Sequence, residues 1–135
     1  MIEFSGWVTI KESYREQDDN DIELEKISMK LKNDVHQINE KYGNEICYFK
    51  TINGLYKIIT CGYSNHKNKE FFDIFNLFES ISKEAKGSYG IFSFIDDEDR
   101  EGFDNEMQVF SLKKGVFLRE KDNYLSPCVP TIEEI

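Results

Sequence analysis

Asn53-Gly54 stands between two β-rich runs, residues 46–53 and 55–63. This dipeptide supplies the two left-handed residues of a tight hairpin turn, so the runs pair antiparallel. The remaining pattern is arranged around that hairpin. Residues 2–11 alternate, with Ile2, Phe4, Val8 and Ile10 on one side and Glu3, Ser5, Trp7, Thr9 and Lys11 on the other. A period of two predicts a strand with one buried face. Trp7 falls on the less apolar face, where a neighbouring strand or the tail covers it, or a partner meets it.

Two helices are predicted. Asn20 and Glu23 form a capping box ahead of a helix reaching about residue 41, with Ile22, Ile27, Leu31, Val35, Ile38 and Tyr42 as its apolar stripe and Gly43-Asn44 as its end. Residues 69–85 present Phe71, Ile74, Phe75, Phe78 and Ile81 on one side, and Gly87 is placed to end that helix. Residues 88–95 are apolar on both faces, as in a central strand. Residues 106–112 and 116–120 flank Lys113-Lys114-Gly115 as a second hairpin. Pro127 and Pro130 stiffen the tail, and Leu125, Val129 and Ile132 are placed to dock it along the sheet.

The resulting order is βαββαβ followed by a β-hairpin. It predicts an α+β fold: a ferredoxin-like βαββαβ sheet with an added C-terminal hairpin and two helices on one face. The other face is left open or partly covered by the tail. Residues 1–135 suffice for one domain with one core.

Charge narrows the partners. Seventeen basic residues against 26 acidic ones leave a net charge of −9. Such a surface repels phosphate backbones and anionic membranes and attracts basic proteins. Seven carboxylates lie between Asp96 and Glu106, opposed by Arg100 alone. Cys47, Cys61 and Cys128 are an odd set without paired spacing, as suits a reducing cytosol. The first residues lack the basic and apolar regions of a secretion signal, and no apolar run is long enough to span a membrane.

No cofactor or metal is implied. Asp97, Asp99, Glu101 and Gly102 match the start of a calcium loop, but its twelfth position is Gln108, which cannot act as a bidentate carboxylate. His66 lies five residues after Cys61, and a hydrolase built on that pair is one of three functional readings. A small ligand-binding or regulatory module using the open sheet face is another.

The third reading comes from a resemblance. Gly6-Trp7-Val8-Thr9-Ile10-Lys11-Glu12-Ser13, the acidic segment after Gly87-Ser88-Tyr89-Gly90, and the tail Ser126-Pro127-Cys128-Val129-Pro130-Thr131-Ile132 together resemble the immunity protein 7 family of bacterial polymorphic toxin systems. The family pattern places a tryptophan in the strand after the acidic loop, where this chain has Phe110. The resemblance implies a non-enzymatic, cytoplasmic inhibitor that occludes a cognate toxin. A nuclease is one toxin class whose phosphate-holding site would be basic. Charge and resemblance together point to Asp96, Asp97, Glu98, Asp99, Glu101 and Asp104, with Trp7, as the residues that meet the partner. These like charges crowd together and repel, so neutralising Asp97 and Asp99 to Asn should leave stability almost unchanged or slightly raised.

Overall fold

Alternation makes a strand of β1, Ile2–Ile10: Ile2, Phe4, Val8 and Ile10 are buried, while Glu3, Ser5 and Trp7 face away. A computed structural model describes residues 1–13, 15 and 20–128 of the chain. After β1 come α1 (Asp21–Tyr42), β2 (Cys47–Ile52), β3 (Leu55–Ser64), α2 (Lys69–Glu84), β4 (Tyr89–Asp96), β5 (Met107–Lys113) and β6 (Val116–Glu120). The strands form one six-stranded antiparallel sheet in the order β2-β3-β1-β4-β5-β6. The fold is α+β, with the element order expected from the sequence.

Both hairpins turn on pairs of left-handed residues, Asn53-Gly54 (φ 51° and 79°) and Lys114-Gly115 (φ 49° and 77°). Two positive φ values in a two-residue loop match the right-handed twist of the flanking strands. Asn20 caps α1 by accepting from the Glu23 amide at 3.1 Å, and Asn68 caps α2 by accepting from the Phe71 amide at 3.0 Å. The expected capping box is only half formed. The Asn20 amide donates to the Glu12 carboxylate, not to Glu23.

Two expectations need correction, and a third is only partly within the described residues. Ile22 is 74% exposed and lies outside the α1 stripe. Five residues at about 100° each carry it away from the face of Ile27, whereas Leu24 lands beside Leu31. Gly87 does not provide a left-handed helix end. Ala85 ends α2, and a Cβ on Gly87 would lie 2.1 Å from the Ser13 carbonyl oxygen, so glycine serves a close backbone approach. Of the tail residues expected to dock, Val129 and Ile132 lie outside the described residues. Leu125 is described, and it is only half-buried, beside the sheet.

Both helices pack on the face that carries Ile2, Phe4, Val8, Phe92 and Phe94. The core is a lattice of phenylalanines. Phe92 lies 5.0 Å from Phe78 and 5.9 Å from Phe4, and Phe71 lies 4.9 Å from Phe94, centroid to centroid. Glycines make room for these rings: a Cβ on Gly62 would sit 2.3 Å from the Phe4 ring, and one on Gly6 would sit 2.9 Å from the Phe92 ring. Among the described residues, no helix packs on the opposite face of the sheet.

Candidate functional site

The acidic segment follows β4, at the end of the sheet where β1 begins. Its carboxylates are largely engaged within the protein. Asp96 is only 4% exposed; it accepts from the Glu98 amide at 3.1 Å and lies 3.6 Å from the Lys67 ammonium. It is therefore an internal residue and not a direct contact. Asp97 pairs with the Met1 amino group at 2.6 Å, and Glu98 pairs with His66 Nδ1 at 2.8 Å. The hydrogen bond from His66, with help from the Met1 amino group, holds the Glu98 carboxyl below its ordinary range. Asp99 accepts from the amides of Glu101 (2.7 Å) and Phe103 (3.3 Å) and from the Gln108 side chain (3.3 Å). Burial opposes its charge, but those donors, with Lys67, outweigh burial and lower its pKa. Glu101 and Asp104 are exposed.

Asp99 thus organises the loop, and these bonds give its neutralisation a reason to cost stability that the sequence did not supply. Asp99→Ala should destabilise the fold by about 1–2 kcal/mol, because it strands two amides and Gln108. Asp99→Asn, which keeps one acceptor oxygen, should cost less. The sign with pH follows from the lowered folded pKa. The stabilisation is present above the unfolded value near ~3.9 and is lost as pH falls through the folded value. Denaturant unfolding of wild type and Asp99→Ala at neutral pH and in strong acid checks this: the difference should shrink in acid, where protonated Asp99 keeps only neutral acceptor bonds.

The helix-free face has a different character. Strand register aligns Tyr48, Ile59, Trp7, Ile91, Ser111 and Leu118 in one row across all six strands. Trp7 is the middle of this row and is 41% exposed. The Lys57 ammonium sits 5.3 Å from its ring centroid and is anchored to Thr9 Oγ1 at 2.8 Å. Tyr89 meets the ring edge-on at 6.2 Å. Neighbouring strands therefore steady Trp7 without covering it. Depressions of about 530 Å³ each lie on either side of the row.

His66 engages Glu98, while Cys61 is exposed on the sheet face. Cys47 is buried and its thiol is pushed up to about 12 by desolvation. Among the described residues, no three His, Cys, Asp or Glu side chains gather to hold a metal ion. Nor, among them, is any helix long and apolar enough to cross a membrane.

The family model described as immunity protein 7 matches residues 1–134. The chain belongs to the immunity protein 7 family. A search of curated proteins and a search of solved structures returned no match.

In this immunity protein 7 member, Phe110 takes the place of the tryptophan expected after the acidic loop. Its ring faces the helices, stacks on Phe117 at 5.1 Å and lies 4.9 Å below the Arg119 guanidinium, so the position is part of the packed layer. Of the family segments, Gly6-Trp7-Val8 lies in the central strand, and the tail beyond Cys128 falls outside the described residues. Cys128 is buried, and its amide donates to the Asn105 carbonyl at 2.9 Å. Sequence reasoning found Trp7 but missed Tyr48, Ile59, Ile91 and Leu118. Part of that row was within reach: the Asn53-Gly54 turn pairs Ile52 with Leu55, which sets Tyr48 opposite Ile59.

Proposed function

We propose that this immunity protein binds a cognate bacterial toxin domain and neutralises it by stoichiometric occlusion, without turnover, in the cytoplasm of the producing cell. The observation that carries this reading is the exposed row centred on Trp7, on a sheet face that no helix among the described residues covers. Family membership supplies the role, and the net charge of −9 favours a basic toxin, such as a nuclease with a phosphate-holding site. Glu101 and Asp104, with the outer edges of Asp97 and Glu98, serve as a charged rim that speeds encounter, while the aromatic and aliphatic row supplies lasting affinity. The first six elements read as ferredoxin-like, supported by the antiparallel neighbours β2-β3-β1-β4.

The test needs a cognate toxin domain, to be sought as the C-terminal domain of any secreted protein encoded beside this gene. Titrating its activity with the immunity protein should give a sharp endpoint at a fixed molar ratio. Complete protection far below that ratio, with the toxin chemically altered, would replace inhibition by catalysis.

A further inference from the structure

The open face is shaped as well as apolar. Register sets Cys61, Ser5 and Ser93 side by side on β3, β1 and β4, and Val109 and Glu120 continue the line onto β5 and β6. These small residues floor a trough that crosses the strands. One bank is Ile59, Trp7 and Ile91; the other is Tyr63, Glu3, Ile95 and Met107, with Leu125 beside it. The banks are four residues apart along each strand, or about 13 Å at roughly 3.3 Å per residue. That spacing is backbone to backbone, so the side chains of the banks leave room between them for one ridge of an α-helix's side chains.

We propose that the toxin lays one basic amphipathic α-helix in this trough, crossing the strands, its apolar side on Ser5, Ser93 and Cys61 with Trp7 packed along its flank. The proposal rests on the neutralisation reading above and names the element that reading leaves open. Charge complementarity sets the helix's chemistry. Glu3 lies on the far bank, Asp97 and Glu98 lie beyond it, and Glu120 closes one end, so the far bank and one end of the trough present carboxylates. The Trp7 bank is backed by Lys57. A helix with Lys or Arg toward Glu3 and without them toward Lys57 satisfies both banks. A partner strand would pair at β2 or β6, the free edges of the sheet, and has no use for a trough across its middle. A second copy of this chain brings its own charge of −9 to the same carboxylates.

Cys61 is a built-in probe, because it is exposed on the trough floor while Cys47 and Cys128 are buried. Toxin domain at ten times its dissociation constant should slow maleimide labelling of Cys61 in the wild-type protein by about tenfold, the ratio set by occupancy. Ser93→Trp, which fills the trough, should raise the dissociation constant at least about 30-fold, as loss of a hot spot does. Circular dichroism checks that this variant folds. A benzophenone maleimide on Cys61 should cross-link to toxin residues spaced as one helix face, in a segment rich in Lys or Arg. Neutralisation with Cys61 labelled at its free rate and folded Ser93→Trp binding normally would overturn the trough and leave the inhibitor reading standing. Cross-links to a strand or loop would overturn the helix. Cys61 protection that grows with protein concentration alone would assign the trough to a second copy and overturn the proposal. If no complex with the toxin forms at all, the inhibitor reading and this inference fall together.

Discussion

Trp7→Ala is expected to weaken the toxin complex by about 2 kcal/mol or more, roughly 30-fold in dissociation constant, while the free protein stays folded. The indole is large, half open and already fixed by Lys57 and Tyr89, so little ordering entropy opposes its use in binding. It sits centrally in the apolar row, where binding energy concentrates, and the charged rim lies at the end of the sheet. The loss should appear mainly as faster dissociation. Variants at Glu101 and Asp104 should instead slow association and flatten its salt dependence. Folding should lose only about 1 kcal/mol, since Trp7 faces away from the helices. Binding kinetics at two salt concentrations, with unfolding followed in parallel, separates these effects. A Trp7→Ala variant that binds as tightly as wild type would move the interface off this face.

Phe92→Ala should have the largest effect on the fold, about 3–5 kcal/mol. Phe92 is fully buried on β4, and its ring contacts those of Phe4, Phe71, Phe75, Phe78 and Phe94. It fills the space above Gly6, so truncation leaves a cavity bounded by the sheet and α2, and the surrounding rings cannot all collapse into it. Against a typical stability of 5–15 kcal/mol, that loss brings the domain near unfolding at physiological temperature. Denaturant unfolding should show a lower midpoint with an unchanged slope. Because Phe92 and Trp7 lie on opposite faces, a folded Phe92→Ala population should bind toxin normally at low temperature.

These contrasting roles were only partly legible in the sequence. The hairpins were, because Asn53-Gly54 and Lys114-Gly115 act through their own backbone torsions and set register within a few residues. The α2 stripe was legible because its period is local. The misreadings came where distant segments meet. Gly87 resembled a helix stop, but Ser13 approaches it from the far side of the sequence. The crowded carboxylates resembled a bare charged loop. Asp99 instead ties together the loop amides and Gln108, and Asp96 is covered by Lys67. The Glu101 and Phe103 amides are local donors, whereas Lys67 reaches Asp96 from the loop before α2.

By itself the sequence determined the kinds of element, their order, both tight turns, the helix N-caps and the division of β1 into an apolar and a mixed face. These follow from torsional preference, capping chemistry and periodicity, which operate over one or two turns of chain. Only the tertiary structure decided the register in which β1 pairs with β3 and β4. That register sets Trp7 between Ile59 and Ile91, and Ser5 between Cys61 and Ser93, so that scattered residues become a row and a trough. The pairing joins strands from opposite ends of the chain. It is selected by how the phenylalanine core packs beneath the sheet, and no local preference encodes it.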